Sequence, residues 1–504
     1  VDELMIKATL EKDLLKLSNT TLDKISGNVK KPLYDRARLK AGIVHIGLGN
    51  FHRAHQAWFL HQLMQAGEAM DWAIVGAGVR EFDSKQRQKL LAQDFLTTLI
   101  ELDPKGQSAE IIGSMIDYVP IAEGNADLIA RMAQEDIRIV SLTVTEGGYY
   151  IDPLSSSLDA AHPDIQHDAK YPETPKTVFG AMIAALKLRR EAGVGPFTGQ
   201  SCDNLQGNGA ILRRTVVSLA ALSDPDLAVW IDQKCSFPNS MVDCIVPATG
   251  PLECELVRTL GIDDAVPVTH ENFRQWVIED DFCAGRPNWE KVSVTMSSDV
   301  HTFESMKIQI LNAGHQILAN LGEIIGLNTI DQCMQHDEIS SFFEQVQRRE
   351  IVPHVAAVPG MQPQDYVGLV ASRFANPKIK DTVRRVAFDG AARHSGFLHP
   401  TIRAALSCDT AVAGLALVEA IWARMCYGIR EDGSTIAAND PNWSFLSELA
   451  KRAKESPSLW LSDTNLYGDI AEDPRFHDAF CTKLTHIWKH GACSTIKDYC
   501  SSGF

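Results

Sequence analysis

The first forty residues are polar and helix-prone, and the first sustained apolar run, Gly42-Ile43-Val44-His45-Ile46, stops at Gly47-Leu48-Gly49. A short apolar run halted by glycines reads as a buried strand meeting a tight turn. Phe51, Ala54, Trp58 and Leu63 then recur at helical spacing among polar residues, and a second run, Trp72-Ala73-Ile74-Val75, follows. Strand, helix, strand is the unit from which parallel sheets are built. The same alternation predicts strands at 137–144 and 197–201 and helices at 126–133 and 178–192, so the first half reads as a doubly wound α/β domain.

From about residue 303 the period changes. Segments 308–325, 340–350, 410–427 and 478–490 carry long helical patterns, and no repeat of solenoid period is present. Gly285-Arg286-Pro287-Asn288 and the strand-like run 292–295 mark a boundary between an N-terminal α/β domain over 1–297 and a mostly α-helical domain over 298–504.

Composition narrows the function classes. The 504 residues are 45% hydrophobic and 22% charged, which suits a folded chain of more than one domain. With 48 basic and 64 acidic residues the formal charge is −16, repulsive toward phosphate backbones, so no nucleic acid partner is expected. No apolar run reaches the roughly 18 to 20 residues that a membrane span needs. The apolar stretch 411–418 reads as a buried helix, and no membrane association is expected. Val1-Asp2-Glu3-Leu4-Met5-Ile6-Lys7 lacks a basic segment followed by an apolar core, so the expected location is cytoplasmic. The 11 cysteines contain no C-x-x-C pair and the 16 histidines no H-E-x-x-H, so no structural metal is expected. The pattern carries no signal of oligomeric state.

Chemistry enters at the first turn. Gly47-x-Gly49-x-Phe51-x-Arg53 follows a strand and opens a helix, the arrangement in which backbone approaches a pyrophosphate and a helix start meets its charge. His52 stands where G-x-G-x-x-G has its third glycine, and Arg53 is a candidate cationic contact. The first domain is therefore expected to be a Rossmann-like dinucleotide-binding domain, an ordinary tight turn being the alternative. Asp83, beyond the second strand, is placed to accept hydrogen bonds from ribose hydroxyls and to repel a 2′-phosphate, which favours NAD over NADP; the neighbouring Arg80 argues the other way.

A second constellation lies in the apolar segment Met306-Lys307-Ile308-Gln309-Ile310-Leu311-Asn312-Ala313-Gly314-His315. On a regular helix Asn312 falls about 140° and His315 about 80° from Lys307, so the three share one side. Apolar surroundings disfavour a lysine's charge and make it a better base near neutrality. Spacing alone fits equally a snorkelling lysine, a capping asparagine and a core histidine.

Residues 42–55, Thr143-Val144-Thr145-Glu146-Gly147-Gly148-Tyr149, Ser201-Cys202-Asp203-Asn204-Leu205, Phe237-Pro238-Asn239-Ser240-Met241-Val242-Asp243 and Lys307-x4-Asn312-x2-His315 occur in this order. Together they resemble the polyol-specific long-chain dehydrogenases, from about residue 40 to at least 400. The resemblance implies metal-independent, NAD-dependent oxidation of a secondary alcohol of a sugar alcohol, mannitol to fructose first, and the reverse ketose reduction. It implies Lys307 as general base, Asn204 and Asn312 as donors to the developing alkoxide, His315, Asp243, Arg385 and Arg393 as polyol contacts, and Glu304 as a proton-exchange group. On the cofactor side it implies Gly47, Gly49, Phe51, Arg53, Asp83 and Glu146. The chain departs from the family's mannitol enzymes at Asp389-Gly390-Ala391-Ala392-Arg393, where they resemble Asp-Gly-Ser-Ser-Lys, and at Asn312-Ala313-Gly314-His315, where they resemble Asn-Gly-Ser-His. A forked donor in place of a lysine reaches different hydroxyls or a carboxylate. Sorbitol or arabinitol oxidation and reduction of a hexuronate such as fructuronate are therefore alternatives, and a nucleotide-binding regulatory protein without turnover is a further one.

Overall fold

A computed structural model of the chain describes residues 14–152 and 157–501. It forms two compact units, residues 1–301 and 302–504.

The first unit is built on β1 (Ala41–Ile46), β2 (Ala73–Ala77), a hairpin of β3 (Thr97–Asp103) and β4 (Gly106–Ile112), β5 (Met115–Tyr118), β6 (Ile139–Leu142) and β7 (Thr198–Ser201). β8 (Ser240–Asp243), β9 (Val268–Glu271) and β10 (Gln275–Ile278) follow. The central sheet runs β5-β2-β1-β6-β7 and every pairing in it is parallel. The order reverses between β1 and β6, and ligands of such sheets bind outside the strand ends at that reversal. The apolar run of β1 is continuous because both faces are covered. Ile43 packs on one side with Leu60 and Leu63, while Val44 and Ile46 pack on the other with Phe179, Met182 and Leu186.

The helices of this unit include α1 (Asn50–Ala54), α2 (Gln56–Gln65), α3 (Asp83–Leu91), α4 (Ala126–Met132), α5 (Val178–Ala192) and α6 (Asn208–Ser223). The single helix expected after the glycine turn is broken at His55, which has φ −118° and ψ −95°. The break is held from outside the helix: Arg274 Nε donates to the Ala54 carbonyl at 2.7 Å and His55 Nε2 to the Gln275 carbonyl at 2.9 Å. Among the described residues of 1–40, the expected helical character is reduced to two three-residue 3-10 turns, Leu22–Lys24 and Arg36–Arg38. Two-residue strands at Leu15–Lys16 and Val29–Lys30 pair with later parts of the unit, because partners distant in sequence override local propensity. The run 292–295 is also no strand of its own: Trp289–Val292 is a 3-10 turn and only Thr295–Met296 pairs, with β10.

The second unit is helical. It contains α7 (Val300–Met306, which begins in the first unit), α8 (Ala313–Ile325), α9 (Asp337–Val346), α10 (Pro363–Phe374), α11 (Val383–Val386), α12 (Gly390–Phe397), α13 (Ala413–Cys426) and α14 (Pro474–His490). The stretch 411–418 does enter a helix buried on nearly all sides, α13. Between α7 and α8, Lys307–Asn312 forms a π turn. No helix among the described residues is long and apolar enough to cross a membrane.

Candidate functional site

At the end of β1, Gly47 has φ +90°, and a Cβ there would overlap the Thr143 carbonyl, so only glycine lets the chain turn this close to β6. Gly49 N–H closes the turn on the Gly47 carbonyl at 2.8 Å, and a side chain at Gly49 would meet nothing nearer than 4.0 Å. The backbone is thus open to a ligand above the turn. Below it, His45 Nε2 meets Thr143 Oγ1 at 2.9 Å, which donates to the Gly47 carbonyl at 2.5 Å, while His45 Nδ1 meets Ser141 Oγ at 2.7 Å.

His52, in the place of the third glycine, stacks flat on His45 with ring centroids 3.4 Å apart and an interplanar angle of 17°. A flat ring pair achieves the close helix-strand packing that glycine otherwise permits. Burial pushes His45 down to about 3 and His52 well below its ordinary value, so both rings are neutral. Phe51 stacks on His55 at 4.9 Å.

Arg53 departs from its expected use. It is 1% exposed, and its guanidinium donates to the Gly49 carbonyl at 3.3 Å, to Asn50 Oδ1 at 2.7 Å and to the Val266 carbonyl. A cation taken out of water must find acceptors within the protein, and here they are the turn itself and the chain entering β9. Asn50 in turn donates to Pro247 O at 3.1 Å and Thr249 Oγ1 at 2.9 Å. Arg53 is a brace under the turn in place of a free cation above it.

Asp83 starts α3 at the end of β2 and accepts the Arg80 N–H at 3.1 Å. A Cβ on Gly78 would overlap its carboxylate, so Gly78 lets Asp83 fold back over the strand end. Glu146 begins a 3-10 turn, and its side chain lies outside the described residues.

Asn204 is exposed just beyond β7, and Asp243 is buried at the end of β8. Two residues absent from the sequence-based set hold them. Asp203 accepts the Val144 and Thr145 N–H groups at 3.1 and 2.8 Å and the Tyr149 hydroxyl at 2.7 Å, which secures Thr145 in a strained backbone of φ +71°. Asn208 Nδ2 donates to the carbonyls of Asp203 at 3.0 Å and Ser240 at 2.8 Å, tying the Asn204 loop to β8. Asp203 was visible only as a charge inside the Ser201–Leu205 motif; Asn208 had no signal.

In the second unit Glu304, Lys307 and Asn312 are buried on α7 and the π turn. The wider i to i+5 winding of a π turn brings residues five apart nearer to one face than the roughly 140° that a regular helix gives for Asn312 and Lys307. Gln347 Nε2 donates to Ile310 O at 2.7 Å and supports the widened turn. His315 stacks on Phe374 at 4.2 Å, and its Nε2 is buried without a hydrogen-bond partner. Burial pushes this imidazole down to about 3, Asp381 opposing and Arg385, Arg393 and Arg373 adding to the effect. Arg385 projects with both arms on Asp381, and Arg393 donates to the Val386 carbonyl at 2.8 Å. Among the described residues, no group of three or more His, Cys, Asp or Glu side chains is placed to hold a metal ion.

A parallel sheet with this strand order, an open glycine turn at its reversal point and a carboxylate after the second strand define a dinucleotide-binding Rossmann domain, and a helical unit bearing a buried lysine follows it. Residues 41–291 match the family model of the mannitol dehydrogenase Rossmann domain, and residues 299–488 that of the mannitol dehydrogenase C-terminal domain. The chain belongs to the mannitol dehydrogenase family. It is 49% identical over 472 residues to mannitol 2-dehydrogenase of Cereibacter sphaeroides, covering 94% of this chain and 99% of that protein. It is 39% identical to the Aspergillus clavatus mannitol 2-dehydrogenase, covering 96% and 99%. The solved structure of Pseudomonas fluorescens mannitol 2-dehydrogenase, a ternary complex with NAD and D-mannitol, superposes with a TM-score of 0.86 at 39% identity, covering 96% of this chain and 99% of that one. A substrate-free D-sorbitol dehydrogenase superposes with a TM-score of 0.88 at 33% identity, covering 96% and 100%.

Proposed function

We propose that this chain oxidises D-mannitol at a secondary alcohol to fructose with NAD, and reduces fructose in the reverse direction. The observation that carries the reading is kinship along nearly the whole length, 49% identity over 94% of the chain, with a mannitol 2-dehydrogenase. The cofactor's fit rests on the open turn at Gly47 and Gly49, flanked by Phe51, and on Asp83 beyond β2; the family resemblance adds Glu146. Arg53 contributes through the turn it holds. Bound NAD supplies the acceptor for the hydride that leaves carbon.

Lys307, in its amine form, takes the hydroxyl proton as the carbon–oxygen bond gains double-bond character. Asn312 and Asn204 donate N–H groups to the oxygen while it carries negative charge. His315 offers Nε2 to a further hydroxyl, and Asp243, Arg385 and Arg393 hold others. Glu304, one turn before Lys307, passes the proton on toward solvent. None of these steps uses a metal.

The test is the initial rate of NADH formation with mannitol, sorbitol, arabinitol and xylitol, and of NADH consumption with fructose and fructuronate. Mannitol as best substrate with NAD is expected. The similarity to a D-sorbitol dehydrogenase makes sorbitol the second reading, supported if sorbitol exceeds mannitol in kcat/KM. Turnover of fructuronate alone, or of nothing on the panel, rejects both.

A further inference from the structure

Behind the polyol-facing side chains of the second unit stands a carboxylate that the sequence reading passed over. Asp381 is 6% exposed and immediately precedes Thr382, whose hydroxyl caps α11 by accepting the Arg385 N–H at 3.2 Å. Its two oxygens accept both arms of Arg385: Nε donates to Oδ1 at 2.7 Å and Nη2 to Oδ2 at 2.6 Å. The same Oδ2 lies 3.8 Å from Nε2 of His315. The Asp381 carbonyl accepts the Ile330 N–H at 2.9 Å, so its backbone is anchored to the start of a neighbouring helix. One buried carboxylate therefore stands between two groups assigned to the substrate, each prepared in a different way. Arg385 has a side chain 61% exposed that would otherwise sample many rotamers, and a fork-to-fork pair confines it to one. His315 is flanked by the cations of Arg373, Arg385 and Arg393, and Asp381 is the anion among them. Its Nε2 makes no hydrogen bond within the protein, Asp381 Oδ2 lying 3.8 Å away.

We propose that Asp381 is a positioning residue for polyol binding: it holds Arg385 and faces His315 in the one arrangement in which both meet hydroxyls of the same open-chain substrate. The inference rests on the reading of the chain as a polyol dehydrogenase. Confining a long side chain before the ligand arrives removes an ordering cost from binding, and the effect falls on substrate affinity and on the discrimination between hydroxyl configurations. It does not fall on the cofactor.

The experiment uses the full chain with Asp381→Asn, Arg385→Ala and the double variant. An amide presents an N–H₂ where the guanidinium needs an acceptor, so Asp381→Asn breaks the fork while preserving size. The expected result is a KM for mannitol raised about tenfold or more, kcat at saturation within about threefold, and an unchanged dissociation constant for NADH by fluorescence titration. The ratio of mannitol to sorbitol kcat/KM should narrow. Asp381→Glu should recover part of the KM, and the double variant should be no worse than the poorer single one, because the two residues act as a unit. A KM within twofold of the parent overturns the proposal. So does loss of kcat, KM and NADH binding in step with the folded fraction, which is the signature of a purely structural carboxylate. If Asp381→Asn does not fold, Asp381→Glu and Arg385→Ala decide by the same KM-against-kcat split, an unchanged KM in both being fatal. A parent protein inactive on every polyol removes the functional reading itself, and that outcome is separate from an active parent whose variants keep its KM.

Discussion

Arg53→Lys separates a brace under the glycine turn from a cationic contact to a cofactor phosphate. Lysine keeps the charge but has one nitrogen, whereas Arg53 serves three acceptors: the carbonyls of Gly49 and Val266 and the Asn50 side chain. One of these can still be met, and two are left short of a donor in a region where Arg53 is 1% exposed. Each buried acceptor without a donor costs about 1–3 kcal/mol, and the Gly49 contact at 3.3 Å belongs at the low end, so the loss is about 2–4 kcal/mol. For a unit of this size that lowers Tm by about 3–6 °C. The turn loosens at the same time, so the NADH dissociation constant should rise about tenfold. Thermal unfolding by circular dichroism and fluorescence titration of NADH measure the two effects on one sample. A lysine variant with the parent's Tm but with NADH binding lost would refute the brace and restore a direct phosphate contact; retention of both would refute either role.

Four other outcomes are expected. Lys307→Ala should lower kcat by about 10²–10⁴-fold while NADH binding persists, and equal loss of both would reject the general-base role. Asn312→Ala should cost about 10²–10³ in kcat with mannitol KM nearly unchanged, a KM effect alone arguing against an alkoxide donor. Dialysis against EDTA should leave the rate intact, and a loss restored by added zinc would overturn the metal-free reading. His45, His270 and His315 are each held down to about 3 by burial, below an ordinary value of 6.5, so the unfolded chain takes up protons that the folded chain refuses as pH falls from 6.5 toward 3. Stability from these rings is complete above pH 6.5 and declines by about 2 kcal/mol per ring at pH 5, visible as a falling Tm between pH 7 and 5; a flat profile would refute it.

Much of the parallel sheet was legible because its strands are covered on both faces, which writes a continuous apolar run into the chain at 43–46 and 73–75. The hairpin of β3 and β4 was overlooked although Asp103-Pro104-Lys105-Gly106 is a turn signal, with Lys105 N–H on Asp103 Oδ1 at 2.8 Å. The short pairings of Val29–Lys30 and Thr295–Met296 depend on strands far away in sequence and have no local signature. Lys307, Asn312 and His315 stand out as polar residues on one side of an apolar segment, whereas the π turn that widens the helix there has no local signature, being supported by Gln347 from another helical segment.

The amino-acid sequence by itself determined what short-range chemistry determines: a strand that ends in Gly47, the only residue type that fits its positive φ beside Thr143, an acid after the second strand, and a lysine, asparagine and histidine within nine residues of one another. Tertiary structure decided what each charged group is for. Arg53 looked like a ligand for phosphate and is turned inward, because burial obliges its donors to be satisfied by Gly49, Asn50 and Val266. Asp381 looked like one acid among 64 and lies between Arg385 and His315. A side chain's type is local information, whereas its desolvation and its partners are set by residues brought beside it only when the chain folds.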